Sequence, residues 1–310
     1  MNVRPSVLCP IDFSETARGA LRYAAAIASY FQSPLTVLAV NDPLLVEAAE
    51  LASGASHLAE DTRREVERFY AQAFEPAAPY VEARFEVAIG KPAPEILRIS
   101  RECACDLIVM GSHGSTGFRK LFFGSTTERV LRETLVPVLV TAPADAGPMG
   151  PAEIPKAVRR IVTPVDLSGG SPGHVETACR IAAALDVPLL LLHVIEPIRS
   201  IPAAHLGLPN LEAERRDRAE RQMDSLLASV CAVRPEELIA YGEPAEEIAK
   251  VASDRDAGLI IMGLHSSPLL GPRMGSVTYR VLCVAHRLVL ALPPGRPDTP
   301  SPAAPPKELR

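Results

Sequence analysis

Two tandem α/β domains, each a five-stranded parallel sheet with helices on both faces, are the fold class this sequence predicts. Three observations predict it. The first is an internal repeat in a chain of 310 residues. Val7-Leu8-Cys9-Pro10-Ile11-Asp12-Phe13-Ser14 returns as Ile161-Val162-Thr163-Pro164-Val165-Asp166-Leu167-Ser168. Leu35–Val40 returns as Leu189–Val194, Gly90–Ile96 as Gly242–Ile248, Leu107–His113 as Leu259–His265, and Gly124–Leu131 as Gly275–Leu282. Five blocks in one order at nearly constant spacing mean a duplicated domain. The second observation is a set of short runs rich in Val, Ile and Leu, bounded by Pro or Gly, as strands buried on both faces are. The third is the longer stretches with helical spacing between those runs, which make βαβ units and a parallel sheet.

The elements follow in order. Strands are expected near residues 6–11, 35–40, 81–88, 107–110 and 137–141 of the first copy. In the second they fall near 160–165, 188–194, 237–241, 259–262 and 287–291. Ala17–Phe31, Glu60–Phe74 and Ala93–Glu102 carry helical periodicity. The charged stretches around 60–68 and 212–224 read as solvated helix faces with i,i+4 pairs. Pro143, Pro148, Pro151 and Pro155 mark a linker. The domains are therefore 1–142 and 158–292, joined by a Pro-rich linker at 143–157, with a Pro-rich tail from 293 to 310 that is expected to be extended or disordered.

Composition narrows the function. Lys and Arg total 32 against 37 Asp and Glu, a net charge of −5, and each copy is slightly acidic. That argues against a nucleic-acid or membrane-surface binder, which needs a basic face. The longest uncharged stretch, Tyr23 to Asn41, is broken at Gln32-Ser33-Pro34, so no membrane span is expected. The N-terminal residues do not read as a secretory signal, which points to the cytoplasm. None of the six cysteines forms a C-x-x-C pair, so buried reduced thiols are expected, and Cys103-x-Cys105 lacks the partners of a zinc site.

In an open α/β sheet, ligands bind beyond the carboxyl ends of the strands where the strand order switches. Polar and Gly-rich residues gather at those ends here. Asp12 follows the first strand, Val40 ends the second, and the loop GSHGSTGFRKLFFGS runs from Gly111 to Ser125 after the fourth. Its glycines allow close backbone approach, Arg119 and Lys120 add positive charge, and the helix opening at Gly124-Ser125 offers free amides to an anion such as phosphate. Structural alternatives stand beside this reading. Ser125-x-x-Glu128 has the form of a capping box, and an Asp after a strand often caps the next helix. No nucleophile–base–acid set stands out. His113 and His265 match in position without an adjacent acid, and the remaining histidines look scattered.

The loop is neither a P-loop nor a dinucleotide fingerprint; its spacing is Gly111-x2-Gly114-x9-Gly124-Ser125. On this spacing, the Asp12 strand end and the Gly90-Lys91-Pro92-Ala93 block, the chain resembles a tandem universal stress protein over about residues 5–142 and 158–292. The resemblance implies Rossmann-like, HUP-type domains and an ATP site in the first copy, with or without Mg2+. Asp12 and Val40 would meet ribose and adenine. Gly111, Gly114, Gly124, Ser125 and Thr126 would line the phosphates, and Met110 and His113 would flank the pocket. It implies a stress-response or signalling role, with protein partners.

The second copy departs from the pattern. Ser266 stands where the second Gly is expected, Gly275 arrives one residue early, Pro268 and Pro272 enter the loop, and Val277 replaces Thr126. Weaker or no ATP binding is expected there. The alternative function is a nucleotide-independent scaffold in which the strands 136–141 and 288–292 pair as an intrachain pseudo-dimer, with a homodimer of chains left open. An adenylate-forming or phosphotransfer enzyme is a third reading, and at most slow ATP hydrolysis is expected.

Overall fold

The computed structural model describes residues 4–53, 58–112, 124–143, 145–167, 171–198, 211–230, 235–267 and 271–293. In the first half β1 (Val7–Ile11), α1 (Glu15–Tyr30), β2 (Leu35–Asn41), α2 (Pro43–Ser53), α3 (Leu58–Ala73) and β3 (Ala83–Ile89) lead to α4 (Pro92–Glu102), β4 (Leu107–Gly111), α5 (Ser125–Glu133) and β5 (Val138–Thr141). A 3-10 turn (Pro151–Glu153) and α6 (Ile154–Val158) lie between the halves. The second half runs β6 (Ile161–Pro164), α7 (Ser171–Leu185), β7 (Leu189–Ile195), α8 (Leu211–Val230), β8 (Glu236–Tyr241), α9 (Pro244–Asp254) and β9 (Leu259–Gly263). It ends with β10 (His265–Ser267), β11 (Gly271–Arg273), α10 (Ser276–Val284) and β12 (Leu288–Leu292).

Each half forms a five-stranded parallel sheet with helices on both faces, and the two sheets join into one of ten strands. The order is β3-β2-β1-β4-β5-β12-β9-β6-β7-β8. The seam is the antiparallel pair β5–β12, in register Val140 with Val289 and Leu139 with Leu290. Both strands are wholly buried, so each half presents an apolar edge that the other covers. This is the intrachain pairing expected of the strands at 136–141 and 288–292.

The core on the α1/α7 face is continuous across the seam, whereas the opposite face has a separate cluster for each half. Helix α1 lies close on the sheet because Ala20, Ala24, Ala25, Ala26 and Ala28 on its buried side are small. Leu264, Met274 and Ala291 of the second half are packed into the first half's cluster on the α4/α5 side. The charged stretches behave as expected, with Arg64 paired to Glu60 and Arg216 to Glu220 on exposed faces.

The linker region is structured and seated. The carbonyl of Asp145 lies only 2.1 Å from where a Cβ on Gly19 would sit, and the Tyr23 hydroxyl donates to Asp145 Oδ2 at 2.8 Å. In the second half a Cβ on Gly258 would meet the Ala157 carbonyl at 1.8 Å, and the Gly258 amide donates to Val158 O at 2.8 Å. Ile154 and Val158 are buried between these contacts. One expectation needs correction. Cys179 is disulfide-bonded, so the chain does not carry only reduced thiols; without a C-x-x-C pair, spacing carries no sign of the bond. Cys9, Cys103, Cys105 and Cys283 are reduced thiols, and burial pushes the Cys9 thiol up and that of Cys105 up to about 12. The expectation for the tail falls on residues 294–310, outside the described residues.

Candidate functional site

The strand order switches between β1 and β4, whose Val7 and Leu107 are partners in register. Asp12 and Gly111 therefore stand on the two sides of the crevice at the carboxyl ends of the strands. Val40, half-buried near the end of β2, lies on the far side of β1, where Ala39 pairs with Ile11. Met110 is buried in the α4/α5-side core, so it supports the crevice floor from within. His113, Gly114, Gly117, Arg119 and Lys120 lie outside the described residues.

Asp12 is exposed and is not the helix cap. Ser14 caps α1, accepting from the Ala17 amide at 3.1 Å, and Asp12 Oδ1 accepts from both the Ser14 amide and hydroxyl, at 3.2 and 2.6 Å. Between them Phe13 has φ 61°, and Leu167 in the second half has φ 58°. A left-handed conformation costs an ordinary residue about 1–2 kcal/mol. In both copies the left-handed residue follows an exposed Asp at the strand end, where the chain turns into the next helix.

Gly111 has two roles in the geometry. A Cβ there would come within 2.6 Å of Thr16 Cγ2, so Gly is required for α1 to start against β4. Its carbonyl accepts from Thr127 Oγ1 at 2.9 Å. The Gly124 amide donates to Ser112 O at 2.8 Å, and the Ser112 amide to Thr141 O at 3.2 Å. These three bonds tie the start of α5 to the ends of β4 and β5. Thr127 was missed in sequence reasoning; its signal was the matching Thr278, whose hydroxyl donates to Gly263 O at 3.5 Å.

The capping-box expectation for Ser125 is not met. Gly124 is the N-cap of α5, Ser125 is exposed in the first helical position, and no side chain of the described residues caps the helix. Glu128 pairs with Arg132 instead, a turn further along the helix. The first turn of α5, with Ser125 exposed and Thr126 half-buried, thus starts beside the switch crevice with no side-chain cap.

The family model for the universal stress protein family matches residues 4–142 and again 157–293. The chain belongs to the universal stress protein family. Among curated relatives, universal stress protein MJ0577 of Methanocaldococcus jannaschii is 28% identical over 149 residues, covering 43% of this chain and 92% of that protein. Universal stress protein YxiE of Bacillus subtilis is 32% identical over 142 residues, covering 43% of this chain and 96% of that one. A solved universal stress protein of Archaeoglobus fulgidus has the same fold across both halves, with TM-score 0.65 at 21% identity, covering 94% of this chain and 98% of that one. The chain is thus a tandem universal stress protein, with two family domains in one polypeptide.

Within this tandem protein the second crevice is built differently. After Gly263 the chain forms an antiparallel hairpin, with His265 opposite Arg273 and Ser266 opposite Pro272. Its two ends are pinned by Leu264 and Met274, both buried. Leu264, whose amide donates to Leu292 O at 2.6 Å, takes the position of Ser112. The space beside Gly263 is taken by the imidazole of His174, 3.3 Å from an ideal Cβ, where Thr16 stands beside Gly111 in the first half. His193 Nδ1 lies 2.9 Å from Val165 O, just before Asp166. Of the histidines that look scattered in sequence, His174 and His193 therefore stand at this strand end. No helix of the described residues is long and apolar enough to cross a membrane.

Proposed function

We propose that the chain is an ATP-binding universal stress protein that holds its nucleotide in the first half and acts in stress response or signalling through protein partners. One observation carries the reading. The N-terminus of α5, with no side-chain cap among the described residues, is anchored to the end of β4 beside Asp12 at the switch point, and backbone amides in that position favour an anion. In this reading Asp12 meets the ribose hydroxyls and Val40 lies along the adenine. Gly111, Gly114, Gly124, Ser125 and Thr126 line the phosphates, and Met110 and His113 flank the pocket. Asp12 is the one carboxylate in the set, so Mg2+ arrives on the phosphates and is not held by a protein cage.

The second half is the weaker site. The imidazole of His174 stands beside Gly263 where the smaller Thr16 stands beside Gly111, and a paired hairpin follows Gly263, which supports the asymmetry. The set has no P-loop lysine and no water-activating base, so binding outweighs turnover. The domain limits 1–142 and 158–292 and a cytoplasmic location belong to the same proposal. Mass spectrometry of the gently purified chain is expected to find adenine nucleotide released on denaturation. A nucleotide-free chain that also fails to take up ATP leaves the β5–β12 pairing module, a scaffold, as the function.

A further inference from the structure

We propose that the seam between the halves is a binding site for a small nonpolar molecule, a ligand class unrelated to nucleotides. A void of about 70 Å3 lies on the α1/α7 side of the β5–β12 pair. It is lined by matching residues of the two halves, Ile27 with Ile181 and Leu139 with Leu290, so it sits on the internal pseudo-twofold axis. The linker helix lines one side of it with Ile154 and Val158, which have no counterpart in the repeat. No polar atom faces the void. The one hydroxyl among its lining side chains, that of Tyr23, donates to Asp145.

The chemistry of the void selects its occupant. A water needs about 10–15 Å3 and two to four polar partners. The seam provides the space several times over and none of the partners, so water gains nothing by entering. A compact nonpolar molecule loses no hydrogen bonds there and buries apolar surface against the lining side chains. A dry cavity of roughly 150 Å3 accepts benzene or xenon; at about half that volume, xenon is the probe of matching size. The site is remote from the nucleotide crevice. Leu107, Leu259 and Leu288, the first residues of β4, β9 and β12, line the void, whereas the crevice lies beyond the opposite ends of the strands. The inference therefore does not rest on nucleotide binding. It does require both halves and the linker, so only the tandem chain has the complete site.

The test is methyl NMR of the full chain under xenon pressure, with Val158→Phe as the variant that fills the void. The expected result is saturable shifts at the methyls of Ile27, Leu139 and Leu290, with affinity at least tenfold weaker in Val158→Phe. Absence of saturable shifts at those methyls overturns the proposal. So does equal response in the variant, or response confined to the carboxyl ends of the strands. Should Val158→Phe fail to fold, xenon-pressurised crystals of the wild-type chain decide: a peak in the seam supports the site, and an empty seam overturns it.

Discussion

At the scale of single residues, Tyr23 shows how one side chain serves both packing and polarity. Its ring lines the apolar seam while its hydroxyl bonds Asp145 of the linker at 2.8 Å. Burial, and then the hydrogen bond and charge of Asp145, push its phenol well above the ordinary value of 10. A group whose pKa is raised by folding contributes stability that is complete below its unfolded pKa and is lost as pH rises past it. Tyr23→Phe is expected to cost about 1 kcal/mol at neutral pH, the net worth of one hydrogen bond. The variant's stability is also expected to fall less steeply than the wild type's above pH 10. Denaturant unfolding at pH 7 and pH 10.5 checks both; identical slopes with pH would rule out the Tyr23–Asp145 bond. Site residues were legible to different depths at this scale. Asp12 and Gly111 stood out because a carboxylate and a glycine at strand ends are unusual among apolar runs. Thr127 did not, because a Thr inside a helix sequence carries no sign that its hydroxyl reaches back to a strand carbonyl. The capping-box alternative for Ser125 fails for a related reason. A capping box is defined by spacing alone, and Gly124 took the cap instead.

At the scale of elements, the strands were the most legible, since buried parallel strands are continuous apolar runs with sharp Pro and Gly ends. The loops were least so. The segment after Gly263 pairs as a hairpin although it carries Pro272, because the pairing is settled by Leu264 and Met274 burying themselves in the first half's core. That is a tertiary effect with no local signature. The linker gave a similar surprise. Its prolines mark where regular structure stops, but not that α6 and Asp145 are seated on glycines of both halves. Gly19→Ala is expected to destabilise by about 1–3 kcal/mol, the usual cost of forcing a methyl into a filled space. Gly150→Ala, with nothing within 4 Å of the new methyl, is the control and should stay within roughly 0.5 kcal/mol of wild type. Thermal melts of the two variants separate a seated linker from a loose one.

At the scale of the whole molecule, one sheet and one continuous core on the α1/α7 face make the two halves interdependent. The repeat predicted two copies, and the apolar edge strands predicted that they would pair. Neither indicated that the core on one face runs through the seam, because that depends on where the linker helix lands. The chain is expected to unfold in a single calorimetric transition, with calorimetric and van't Hoff enthalpies in agreement. Two separated transitions would mean that the halves are independent. The asymmetry between the crevices is the central claim, and calorimetric titration of the full chain with ATP tests it most directly. One site per chain is predicted, lost in Asp12→Ala and retained in Asp166→Ala. Two equivalent sites, or a single site that survives Asp12→Ala and disappears in Asp166→Ala, would contradict it.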